Sequence, residues 1–143
     1  AGLGRAPGDS ERADWLIWVH FAETLSQHTA TLTQQHVVLR EDHMRSPIVM
    51  RIEAARIGKC YAALDRALAS SPGALLARFS AADIAVAQAV YMARHFVNLD
   101  GFPNLSEWYQ AVTDRDGFRA ALPPAGAQGL YDRAFYPAWE DAG

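Results

Sequence analysis

A chain of 143 residues is long enough for one domain with a buried core, and with half of its residues hydrophobic and a fifth charged it has an ordinary globular balance. A net charge of −3 without a basic stripe argues against a nucleic-acid backbone as main partner, and the longest apolar run, around Ile84 to Met92, is broken by Gln88 and too short to span a membrane. The single cysteine, Cys60, can form neither an internal disulfide nor a thiolate-rich zinc site, which points to a reducing cytoplasm.

Helical periodicity runs from Asp9 to Leu122, with no strand signal of any length. Residues 1–8, with Gly2, Gly4, Pro7 and Gly8, read as a linker remnant, and residues 9–143 as one helical domain. The first helix is announced by Asp9 or Ser10 and should reach Leu39 or Arg40. Along it Trp15, Trp18, Ala22, Leu25, Thr29, Leu32, His36 and Leu39 recur at three- and four-residue steps, a packing seam with two polar members. A polar stretch ending in Pro47 breaks the helix. The second helix, from Ser46 or Pro47, turns Met50, Ala54, Ile57, Tyr61, Leu64 and Leu68 inward and leaves Glu53, Arg56, Lys59 and Arg66 to solvent. Ser70-Ser71-Pro72-Gly73 closes it.

The third helix start is written almost in full. Ser80 is suited to the Ncap position and Asp83 to N3, where its carboxylate reaches back to the Ser80 N–H; Phe79 and Ile84 make a hydrophobic staple. The following residues to Ala93 are apolar nearly all the way round, which predicts a rod through the middle of an all-α bundle. Asp83 is therefore read as a structural cap, worth roughly 0.5–2 kcal/mol, and not as an acid catalyst. Asp100-Gly101-Phe102-Pro103 stops this helix, and Asn104 with Glu107 predicts a second capping box. Residues 114–118 interrupt, Phe118 to Leu122 makes a last turn, and the tail from Gly129 carries Leu130, Tyr131, Phe135, Tyr136, Pro137 and Trp139. Such an aromatic tail should lie back over a surface groove.

From Thr24 to Leu39 the first helix has no Lys, Arg, Asp or Glu, yet Thr24, Gln27, His28, Thr31, Gln34 and Gln35 give it a polar face. Solvated faces are usually charged; this one suits a wet cleft or a subunit contact. His20, His28, His36 and His43 stand eight, eight and seven residues apart, which spreads them around a helix instead of stacking them, so no metal site is expected. His20 and His36 are read as partly buried imidazoles, and His28 as a structural imidazole first, with a neutral donor or acceptor in the cleft as the second reading. Glu23, beside the polar face, can meet a ligand, another domain or water. Cys60 is read as a buried, inert thiol. Tyr131, Phe135 and Trp139 can close over a pocket or pack on another domain.

Taken together, Trp18-Val19-His20-Phe21-Ala22-Glu23, Phe79-Ser80-Ala81-Ala82-Asp83-Ile84, and Phe102-Pro103-Asn104-Leu105 with Trp108, Arg115 and Phe118 resemble the C-terminal helical domain of the glutathione S-transferase family, in its bacterial branch. The resemblance spans Glu11 to Leu122. It departs at Asp116, where the family commonly has proline, and in the turn before Phe79, which lacks the usual glycine. The resemblance implies an all-α bundle with a central N-capped helix that walls the electrophile pocket and joins a homodimer interface. Glutathione, the co-substrate, would be bound mainly by an N-terminal thioredoxin-like domain, which has no counterpart in this sequence. The implied chemistry is conjugation or thiol-dependent reduction of small electrophiles, a detoxification role in the cytoplasm. Pocket candidates are Glu23, Thr24, Gln27, His28, Thr31, Tyr131 and Phe135, with no catalytic residue in this chain, so the isolated chain is expected to be inactive. The alternative is a non-enzymatic helical module for protein assembly or for carrying apolar ligands.

Overall fold

The computed structural model describes residues 2–124 and 126–138; Trp139, expected in the aromatic tail, lies outside them. Among the described residues five α-helices follow in order: α1 (Arg12–Thr33), α2 (Pro47–Ser70), α3 (Ala81–Ala93), α4 (Pro103–Thr113) and α5 (Asp116–Ala121). The fold is all-α, with no strand among the described residues, and no helix is long and apolar enough to cross a membrane. α3 packs most extensively on α1 and also on α4, while α2 bridges α1 and α4. Ala82, Val86, Ala87, Ala89, Val90 and Ala93 of α3 enter the core with Leu25, Leu32, Ile57, Tyr61, Leu64, Leu105 and Trp108. Small alanines let α3 approach its neighbours closely, while the larger side chains of α1, α2 and α4 fill the space around it.

Asp83 does more than cap. One carboxylate oxygen accepts the Ser80 N–H (2.8 Å) and the Ser80 hydroxyl (3.2 Å); the other accepts the Leu75 N–H (2.9 Å) and the Trp108 indole N–H (3.2 Å). The Ser80 hydroxyl in turn accepts the Ala82 N–H at 3.2 Å, and Ser80 and Asp83 are both fully buried. Four neutral donors thus solvate one carboxylate and tie the loop after α2, the start of α3 and the middle of α4 to one point. That loop turns at Gly73, whose φ of 95° only glycine adopts without strain.

Several local expectations shift. α1 starts at Arg12 because the Asp9 carboxylate and carbonyl accept the Glu11 and Arg12 N–H groups before any helical turn forms. It continues past Thr33 as a π-helical turn, Gln34–Val38. α3 ends at Ala93 and not near Asp100; tight turns carry the chain through Val97. The Asn104–Glu107 box does not form. α4 begins at Pro103, which has no N–H to satisfy, and Asp65 of α2 accepts the Leu105 N–H (3.0 Å) and the Asn104 amide (3.1 Å), a cap supplied by a different helix. Glu53, expected in solvent, is buried between His28 and Arg56. His20, expected to be partly buried, is exposed.

The opening residues are tied down. The Leu3 carbonyl accepts the Ala81 N–H at 2.9 Å. Buried Arg5 donates to Glu11 (2.8 Å) and to the Arg78 carbonyl (3.3 Å), and Glu11 also accepts the Ala77 N–H at 2.8 Å. The Ala77 N–H and Arg5 hold the Glu11 carboxyl below its usual range.

Replacing Asp83 by Ala should leave the Leu75, Ser80 and Trp108 donors buried without an acceptor. At about 1–3 kcal/mol per stranded donor, a loss of about 4 kcal/mol is expected, read as a drop of roughly 10 °C in thermal melting. Asp65→Ala, which uncaps a more exposed helix start, should cost only about 1 kcal/mol in urea titrations.

Candidate functional site

α3 is buried on all faces but one. Ile84 and Gln88 are exposed and Met92 half-buried, and four-residue spacing places the three in one row along the helix. A cleft opens at each end of this row. At the N-terminal end, Leu3, Phe79, Ile84, Gln88, Val112, Phe118 and Leu122 bound a mainly apolar cleft of about 720 Å3. Its rim is polar: the Arg115 guanidinium lies 3.8 Å over the Phe79 ring, and Asp114 is paired with Arg119 at 3.0 Å.

At the other end, a cleft of about 320 Å3 lies between α1, Met92 and the tail, lined by Ser26, Thr29, Ala30, Thr33, Gln34, Val38, Met92, Leu130 and Tyr131. Its surface is apolar with hydroxyl groups. The Thr29 hydroxyl donates to the Leu25 carbonyl (2.9 Å), and the Thr33 hydroxyl lies 2.9 Å from the Thr29 carbonyl and 2.8 Å from the Tyr131 hydroxyl. Burial raises the Tyr131 phenol above its ordinary range, partly offset by the Thr33 contact, so it stays neutral at any physiological pH.

The tail closes this cleft because it is anchored on both sides. The Tyr136 N–H donates to the His95 carbonyl at 2.7 Å, and the Ala134 carbonyl lies 3.0 Å from His95 Nδ1. The buried Tyr136 ring packs 5.6 Å from Phe96 and 5.6 Å from His36, and Tyr131 packs 5.5 Å from Phe96 and 4.4 Å from His95. The Tyr136 hydroxyl accepts the Asp132 and Arg133 N–H groups and donates to the Asp132 carboxylate, so the tail folds on itself around this ring.

Of the pocket candidates taken from the sequence, Tyr131 lines this cleft. Glu23 and Gln27 are exposed and paired with each other at 3.1 Å. Thr24 is exposed, and Thr31 turns its hydroxyl onto the Gln27 carbonyl at 3.1 Å. His28 faces α2, where its Nδ1 lies 2.6 Å from Glu53. Phe135 is exposed, and the tail's anchor is its neighbour Tyr136. Ser26, Ala30 and Thr33 are among the cleft residues the sequence did not single out. They lie beside Thr29 of the apolar seam, and only the path of the tail marks their side of α1 as a cavity wall. Cys60 is buried, and burial raises its thiol, which leaves it protonated and unreactive.

A third cleft, of about 320 Å3, lies beyond the π-helical turn and is lined by His36, Arg45, Met50, Arg133, Tyr136, Pro137 and Ala138. Burial and the nearby Arg45 and Arg133 charges lower the His36 imidazole to about 4. Among the described residues no three His, Cys, Asp or Glu side chains gather as a metal site would require.

Residues 47–111, which cover α2, α3 and most of α4, match the family model described as Glutathione S-transferase, C-terminal domain. No curated protein and no solved structure matches the chain.

His36 is neutral in the fold but gains a proton readily once unfolded, so the folded state binds fewer protons between its ordinary pKa of 6.5 and about 4. Stability should therefore fall as pH drops through that window and level off below it. Urea midpoints measured across the window should show a shallower slope in His36→Gln than in the parent.

Proposed function

We propose that this chain, which carries a glutathione S-transferase C-terminal domain, forms the electrophile side of a two-domain glutathione transferase. The observation that carries the reading is the exposed row on α3. A helix this apolar has little polar side to offer water, yet it leaves Ile84 exposed and Met92 only half-covered, with an apolar cleft at each end. A thioredoxin-like domain seated over Leu3, Phe79, Ile84 and Phe118 would cover the larger cleft. It would then bring its glutathione thiol towards the Met92 end.

In this reading Ser26, Ala30, Thr33, Met92, Leu130 and Tyr131 are the wall against which a small apolar electrophile rests. Their contribution is apolar contact and neutral hydroxyls that orient a polar substituent, with no group placed to activate a thiol. Glutathione is thus a co-substrate bound mainly elsewhere, and activation of its thiol belongs to the other domain. Exposed Met44, Ile48 and Ile52, the last two one turn apart on α2, form a patch suited to a second copy in a homodimer. A cytoplasmic site of action fits this thiol chemistry.

The test is binding of an apolar fluorescent dye, displaced by aryl halides. Ala30 is exposed on the cleft wall, so Ala30→Trp should fill the cleft, cut dye affinity at least tenfold and leave the melting temperature within a few degrees. Unchanged dye binding in that variant would remove the wall from consideration. The 143-residue chain alone should not accelerate glutathione conjugation above the buffer rate; robust turnover by it would refute the division of labour.

A further inference from the structure

We propose that the cleft beyond the end of α1 is a binding site for a small organic carboxylate, held between Arg45 and Arg133 with its carbon body over Met50 and Tyr136. This cleft shares no lining residue with the other two, and the inference does not depend on the transferase reading.

The two arginines have different states. Arg45 is fixed: its Nε donates to the Leu39 carbonyl (2.9 Å), one terminal nitrogen to Asp42 (2.9 Å), and the other to the His36 and Arg40 carbonyls (both 3.4 Å). Its one carboxylate partner is a highly exposed side chain, so water screens that pair and the cleft side keeps a positive potential. Arg133 is unspent. Its guanidinium lies over the Tyr136 ring at 5.8 Å and makes no hydrogen bond among the described residues, which leaves its planar fork of N–H donors available.

Among the described residues no acidic side chain lines the cleft, and the neighbouring Asp132 carboxylate is engaged by the Tyr136 hydroxyl. His36 in the same wall has a buried Nε2 without a partner among the described residues, which adds an unsatisfied polar atom to the site. The free fork of Arg133 is the group that takes a carboxylate bidentately, while Arg45, with four of its five N–H groups engaged, adds positive charge and at most one further bond. The rest of the lining, Met50, Tyr136, Pro137 and Ala138, is apolar or aromatic. That surface rewards a carbon body, which inorganic anions lack.

The test is an NMR titration of the full chain with benzoate, read at the His36 imidazole and the Met50 methyl group. Benzyl alcohol serves as the uncharged counterpart and inorganic phosphate as the anion without a carbon body. Saturating shifts at both reporters are expected, with benzoate at least tenfold tighter than either control. Arg133→Gln should weaken benzoate about tenfold with little change in melting temperature, since its guanidinium holds no hydrogen bond among the described residues. Arg119→Gln, at the Asp114 pair, should bind as the parent does. Absence of saturable shifts, equal affinity for either control, or unchanged affinity in Arg133→Gln would overturn the proposal.

Discussion

The Asp83 carboxylate is the constraint on which the arrangement of the other elements depends. A buried carboxylate without a cation is costly unless hydrogen-bond donors replace its lost water, and here four neutral donors do so. The donors come from the loop after α2, the first turn of α3 and the indole of Trp108 on α4. The charge therefore cannot be solvated until the loop eight residues upstream and the α4 indole 25 residues downstream have both met the start of α3. A capping motif that is local in sequence becomes a long-range lock because its second oxygen is spent on tertiary partners.

Holding α3 at its front end fixes how the helix is rotated. With Ala82, Val86, Ala87 and Val90 turned into the bundle, Ile84, Gln88 and Met92 must face outward. The same rotation that completes the core thus leaves Ile84 exposed and Met92 half-covered on either side of Gln88. The two clefts at its ends follow from what lies beside it: the opening residues and α5 at one end, α1 and the tail at the other. Core packing and the proposed ligand-facing surface are two sides of one helix, so a change of helix register would disturb both.

The far end of α1 is organised differently. The π-helical turn widens the helix by one residue, and its His36 carbonyl accepts from Arg45, while the Gln35 side chain accepts the Ser46 N–H at 2.7 Å. This sets His36 beneath the tail, against Phe96 and Tyr136. Burial there favours the neutral imidazole, and two guanidiniums nearby favour it further. Arg45 and Arg133 both line this edge, and the carboxylate that pairs with Arg45 is exposed to water, so the proposed anionic ligand would meet both guanidiniums.

The sequence by itself determined what depends on neighbours along the chain. The helical periods, the break at Pro47, the Ser80–Asp83 box and the inward faces of α1 and α2 are all local patterns, and all four are present in the structure. The family resemblance was legible for the same reason, since the motifs that carry it are short and contiguous. Tertiary structure alone decided which polar groups found partners across elements. Asp65 displaced the Asn104–Glu107 box because it reaches the first turn of α4 from another helix, and Glu53 left solvent because His28 stood opposite it. Tyr136, not Phe135, became the tail's anchor because only its ring meets His36 and Phe96 and only its N–H meets the His95 carbonyl. Periodicity fixes the direction of a side chain about its own helix axis; it carries no information about what stands opposite, and a cleft is made of what stands opposite.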